Sequence, residues 1–264
     1  MRRILALWIL CFGALAAAQP PAGLSQPEPA PAVGHGDSPR RFSDTWLLHL
    51  PGIAGHKWVD DQMTRGLRDA GYDGALQIFD WTGDDPGLSA LRAYKRNHAV
   101  AQEISDLIAT KVRANPGLHV ILTAHSGGTG LLVWALEDLP DEVKVDEVIL
   151  LASALSPDYD LSKALSHVRG KCYSFCSEND VLVLGAGTRM FGTIDGKNTD
   201  AAGEFGFVFP PTGDPKQYDK LIQKPYDKSW MRYHNLGDHI GCMLRGFSSH
   251  VIGPLIAAVR QGKP

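Results

Sequence analysis

The 264-residue sequence lacks the signatures that would tie it to a metal, a nucleotide cofactor or a nucleic acid. His56, His98, His119 and His167 show no metal-ligand spacing. The glycine-rich stretches Gly185-Ala186-Gly187 and Gly192-Thr193-Ile194-Asp195-Gly196-Lys197 match neither a dinucleotide nor a phosphate loop. They read as loop flexibility, and no cofactor is expected. Basic residues neither cluster nor interleave with aromatics, and the formal charge is −3, so nucleic acid is a poor partner. Internal repeats are absent. So are long apolar runs, with one exception at the start of the chain.

That exception is Ile4 to Leu15, too short to span a bilayer stably. It follows the basic Met1-Arg2-Arg3 and precedes Ala16-Ala17-Ala18, so residues 1–18 read as an export signal cut before Gln19. The expected location is periplasmic or extracellular, with no stable membrane span after cleavage. Cysteine is scarce, at four residues, and Cys11 lies inside the signal without a lipobox around it. Cys172, Cys176 and Cys242 remain. Cys172 and Cys176 fall on one expected strand, where a bridge between them would be strained; pairing of Cys242 with either stays open.

Residues 19–41 are rich in Pro, Ala, Gly and Ser and read as a flexible tether. From Phe42 onward, apolar strand-like runs alternate with helical patterns. This predicts an α/β domain over 42–264, a mostly parallel central sheet flanked by helices, with an insertion before the last strand. Strands are expected at Thr45–Leu50, Gly74–Phe79, His119–Thr123, Glu147–Ala152, Lys171–Ser174 and Met231–Asn235. Helices are expected at Lys57–Ala70, Ala90–Asn115, Gly128–Leu139, Leu161–Leu165 and Gly241–Arg260. In the second of these, Ile104, Leu107, Ile108 and Val112 form a buried stripe. Residues 185–230 have weak periodicity and exceed the usual connection length, which suggests a cap or lid-like insertion. Met190, Phe191, Phe205, Phe207, Val208 and Phe209 would give such a lid an apolar face, or form the buried core of the insertion.

The chemistry centres on Ala124-His125-Ser126-Gly127-Gly128, which joins an apolar β-branched run to an amphipathic helix. Such a strand–turn–helix context is that of a nucleophile elbow. A serine held on a sharp, strained turn needs small residues two before and two after it, and Ala124 and Gly128 are small. A serine nucleophile needs a base oriented by an acid. Asp180, in the polar run after the fifth expected strand, is the acid candidate; Asp158, Asp160 and Glu178 are its rivals. His239 is the base candidate, on a Gly-flanked loop before the last helix, whereas His234 and His250 sit within expected elements. His125 reads as a packed neighbour of the nucleophile, His49 lies in a strand, and His35 is in the tether. Two N–H donors must face the oxyanion. Gly127 supplies one, and Ile53, in Leu50-Pro51-Gly52-Ile53-Ala54-Gly55-His56, supplies the other, with Ala54 next.

Pro51-Gly52-Ile53, the elbow, Asp180 and His239, in that order, resemble the α/β-hydrolase superfamily of lipase- and esterase-like serine hydrolases. The resemblance runs from Phe42 to the C-terminus. It implies Ser126, Asp180 and His239 as a triad and an eight-stranded sheet, although the Pro-rich tether leaves room for about six strands. One departure is Ala124, where the family pattern has glycine. The implied activity is that of a secreted serine esterase acting on a small-molecule or lipid-like ester. Two other readings stay open: a catalytically silent hydrolase fold used as a binding module, and an amidase or peptidase with the same three residues.

Overall fold

Strands that are apolar on both faces call for a helical layer on each side, because neither face can be left to water. The computed structural model describes residues 42–84, 86–180 and 192–260. The expected signal and tether, Cys11, His35, Gly185-Ala186-Gly187, Met190 and Phe191 lie outside the described residues. Six strands form one sheet among them: β1 (Thr45–Leu50), β2 (Ala75–Ile78), β3 (His119–His125), β4 (Glu147–Leu151), β5 (Cys172–Cys176) and β6 (Leu221–Pro225). All pairings are parallel and the order is β2-β1-β3-β4-β5-β6.

Alternation along the strands sorts side chains between two cores. Trp46, Leu48, Leu50, Val120, Leu122 and Ala124 face helices α2 (Tyr94–Ala114), α3 (Gly128–Glu137) and α4 (Ser162–Ser166). The stripe Ile104, Leu107, Ile108 and Val112 packs there as expected. Leu47, Ile121, Ile149 and Leu151 face α1 (Trp58–Asp69) and the C-terminal segment that ends in α5 (Gly253–Arg260), sharing a core with Met63, Leu67, Phe247, Ile252 and Ile256. His49 and Thr123 share this second face and are register partners. None of the helices in the described residues is long and apolar enough to cross a membrane.

Two elements differ from the sequence reading. Met231–Asn235 is not a strand. Most of it belongs to the 3-10 helix Lys228–Tyr233, which Asp227 caps by accepting the Ser229 N–H at 2.7 Å, and His234 follows in the left-handed region at φ 67°. Among the described residues the last strand is β6, ten residues earlier and inside the stretch assigned to the insertion. Among the described residues, the connection before it therefore comprises 177–180 and 192–220. The final helix is also interrupted: Gly241–Met243, Arg245–Phe247 and a π turn at Ser248–Ile252 precede α5. Pro254 has no N–H for the carbonyl one turn back, which accounts for a break there.

Glu147 opens β4 and is buried, its carboxylate accepting the Lys171 N–H at 2.9 Å. Burial pushes its pKa up to about 7. A raised pKa means that the folded state holds this proton more tightly than the unfolded chain does. Its contribution is intact below about pH 4.5 and is lost as pH rises through about 7. Glu147→Gln should therefore gain on the parent in urea unfolding between roughly pH 5 and pH 8. A difference that stays constant across that range would refute the assignment.

Candidate active site

The end of β3 turns abruptly into α3, and Ser126 stands on the turn at φ 52°. A non-glycine residue held in the left-handed region is strained and needs support. Here the Ser126 N–H donates to Leu151 O at 2.9 Å, and the Ser126 carbonyl accepts from the Thr129 N–H and hydroxyl at 3.0 and 2.6 Å. Thr129 in turn meets Ser153 at 3.1 Å. Gly128 is required for a reason that the motif does not announce. A Cβ there would collide with the carbonyl oxygens of Pro51 and Leu50, so the end of β1 crosses directly over the elbow.

Three side chains distant in sequence form one hydrogen-bonded line. His239 Nε2 lies 2.9 Å from Ser126 Oγ, and His239 Nδ1 lies 2.7 Å from Asp180 Oδ2. With Asp180 ionised, Nδ1–H donates to it and Nε2 is left to accept from the serine hydroxyl. Asp180 is 3% exposed and Ser126 6%. Their loops fit closely at Gly237, where φ is +82° and a Cβ would stand 2.8 Å from both Asn179 Nδ2 and Ser177 Oγ. Any other residue there would strain the backbone and displace the Asn179 and Ser177 side chains.

The rival acids lie elsewhere. Asp158 is exposed and pairs with Lys197 at 2.8 Å, and Asp160 accepts from Ser162 and Thr212. Glu178 sits in the exposed turn before Asp180. His250 stacks on Tyr233, and His98 stacks on Trp134. His167 donates to Val143 O and His56 meets Asp61.

The loop after β1 is held by its own carbonyls. Pro51 O accepts from Trp81 Nε1–H at 2.7 Å, Gly52 O from the Gly55 N–H at 3.0 Å, and Ile53 O from the Gly87 N–H at 2.6 Å. A trans amide points its N–H opposite to its C=O, so fixing Gly52 O fixes the direction of the Ile53 N–H. Among the described residues neither the Ile53 nor the Gly127 N–H has a hydrogen-bond acceptor. The two residues are adjacent in space: a Cβ on Gly127 would stand 2.5 Å from Ile53 Cγ2. Gly127 also begins the turn into α3, whose N-terminal dipole favours negative charge.

The surroundings resolve two points left open and change one expectation. Cys172, Cys176 and Cys242 are all free and buried. Burial pushes the Cys176 thiol up to about 11 and raises Cys242 further, so both stay protonated. The 192–197 stretch is no slack loop. Ile194 is fully buried and donates to Ala154 O, while the Asp195 carboxylate accepts from both the N–H and the hydroxyl of Ser156. Of the expected lid residues, Phe207 is core, whereas Phe205, Val208 and Phe209 are at least half exposed.

Sequence reasoning missed Trp81, which anchors the loop after β1, and the buried pair His49–Asp60 at 3.0 Å. No spacing rule announces either.

No protein-family model and no curated protein matches the chain. Solved structures similar to it include a lipase-esterase related protein from Clostridium acetobutylicum, at 10% identity and TM-score 0.46, covering 83% of this chain and 96% of that one. The esterase domain of a Rhodothermus marinus protein is 15% identical with TM-score 0.43, covering 83% and 88%. A cutinase-like protein from Cryptococcus sp. is 14% identical with TM-score 0.44, covering 83% and 96%. On its own sheet order, with a serine elbow after β3, an acid after β5 and a histidine after β6, the chain has the α/β-hydrolase fold.

Proposed function

We propose that this chain is an exported serine hydrolase that cleaves carboxylic esters. The observation that carries the reading is the line Ser126 Oγ–His239–Asp180, closed by bonds of 2.9 and 2.7 Å, beside two N–H groups without acceptors among the described residues. Ser126 Oγ attacks the ester carbonyl carbon while its proton passes to His239 Nε2. The carbonyl electrons move onto oxygen, which is held by the Ile53 and Gly127 N–H groups. The imidazolium, steadied by Asp180, returns the proton to the leaving alkoxide, and an alcohol departs. Water, deprotonated by the same histidine, then releases the acid and restores Ser126. Each donor of this kind is worth about 3 kcal/mol of transition-state stabilisation.

Labelling the purified protein with a fluorophosphonate tests this. The expected result is one equivalent on Ser126, absent in Ser126→Ala and strongly slowed in His239→Ala. A folded parent that takes up no label would overturn the reading in favour of a silent binding module. Rates on matched ester and anilide substrates separate esterase from amidase.

A further inference from the structure

We propose that His125 is a positioning residue for His239: it holds the backbone carbonyl of the base and thereby sets where that imidazole stands between Ser126 and Asp180. The inference rests on the hydrolase reading above. His125 Nε2 lies 2.9 Å from His239 O, a contact across 114 residues of chain. A carbonyl oxygen only accepts, so the ring proton is on Nε2 and His125 is the donor. The two imidazoles lie 4.8 Å apart between centroids, tilted by 47°. On its other side, His125 Nδ1 faces the bare Cα of Gly52, where a Cβ would stand 3.2 Å away. One side chain therefore touches the base and the loop that carries Ile53, and it precedes the nucleophile in sequence.

Few other bonds tie residue 239 to the sheet. Among the described residues its carbonyl accepts one more bond, a longer one of 3.8 Å from Cys242 Sγ, only three residues along. The remaining ties of this loop are largely internal: Asn235 Oδ1 accepts from the Gly237 N–H, and Asp238 Oδ1 from the Ile240 and Gly241 N–H groups. The loop shapes itself, and His125 fastens it to the end of β3. Burial, with the charge of His239 adding to it, pushes the His125 pKa down to about 3. The ring stays neutral when His239 takes the serine proton, so it opposes that step with no charge of its own. Asp60 and His49 face the same ring, and their opposed effects on it are smaller than that of burial.

The test compares His125→Gln with His125→Leu in the full chain. Glutamine can bring an amide N–H to where Nε2 stands, whereas leucine fills the space and donates nothing. On p-nitrophenyl acetate, His125→Leu should lose about 100-fold in kcat with KM within about threefold, as misplacement of a catalytic group by ~1 Å does. His125→Gln should recover about tenfold or more of that loss. In the His239→Ala background, His125→Leu should cost nothing further, because it acts through His239. Equal losses for Gln and Leu that track their thermal midpoints would overturn the proposal. So would a full additional loss in the His239→Ala background. A readout free of turnover is the NMR signal of the His239 Nδ1–H proton shared with Asp180. It should shift or broaden in His125→Leu and return in His125→Gln. If fluorophosphonate failed to label the parent, the hydrolase reading would fall, while an unmoved proton signal in His125→Leu would separately sink the positioning role.

Discussion

Alanine at Ser126 or His239 is expected to lower kcat by roughly 10⁶-fold, and Asp180→Asn by roughly 10⁴-fold. The inequality follows from the roles in the proposed mechanism. In that mechanism Ser126 Oγ and His239 Nε2, 2.9 Å apart, both take part in bond making, and neither acts without the other. The Ser126→Ala, His239→Ala double variant should therefore be no worse than either single one. In the same mechanism Asp180 acts on the far nitrogen, 2.7 Å from Nδ1, where it selects the tautomer and steadies the imidazolium. Asparagine keeps the shape but offers the ring no negative charge. Single-turnover kinetics on an activated ester would measure all three. An Asp180→Asn enzyme as fast as the parent would remove Asp180 from the mechanism. Asp158, tied to Lys197 on the surface, would not replace it.

The largest stability effect is expected at His49→Leu. His49 is fully buried, its Nδ1 2.8 Å from Thr123 Oγ1 and its Nε2 3.0 Å from Asp60 Oδ1. Burial opposes the charge on Asp60. The bonds from His49 and from the Lys57 N–H, together with the attraction of His49, outweigh it, and the carboxyl sits below its ordinary value. Leucine at 49 removes the main partner and leaves a buried carboxylate with one backbone donor, which typically costs about 3–5 kcal/mol. The double variant His49→Leu, Asp60→Asn should regain much of this, since the orphaned charge is gone. The single variant's deficit should also shrink in acid. Its Asp60, now with a raised pKa, takes up a proton there, so the penalty is absent below the ordinary Asp value of 3.8 and develops as pH rises from there through the raised one. Urea unfolding of the three proteins decides the matter; a His49→Leu cost under about 1 kcal/mol would show that the pair does not hold this region.

Much of the fold was legible because its strands and long helices obey simple periods. Thr45–Leu50 and the stripe on α2 are examples where burial on a fixed spacing leaves one solution. The failures have physical reasons. β6 reads Leu-Ile-Gln-Lys-Pro and is only partly buried at the sheet edge, so its alternation is diluted by polar residues. Met231–Asn235 carries a plausible alternation, yet Asp227 starts a 3-10 helix just upstream and the pattern becomes a coincidence of a short turn. In the site, Ser126 and Asp180 each follow a strand that the periodicity announces, whereas His239 was placed after an expected strand that is a 3-10 helix, and its Gly-flanked loop before the last helices is what marked it. His125 was visible as a residue and not as a donor. Its partner is a backbone carbonyl 114 positions away, and side-chain identity carries no record of such a bond.

The left-handed backbone at Ser126 means that the domain is less stable than its sequence could make it. A serine at φ 52° gives up on the order of 1–3 kcal/mol, which a glycine would not. Ser126→Gly should accordingly melt later than Ser126→Ala, although the proposed mechanism makes both inert. The choice of dead variant then matters in practice. Alanine keeps the elbow tense and the pocket in its working shape for trapping a substrate; glycine lets the turn relax and gives a sturdier protein that no longer reports on the enzyme.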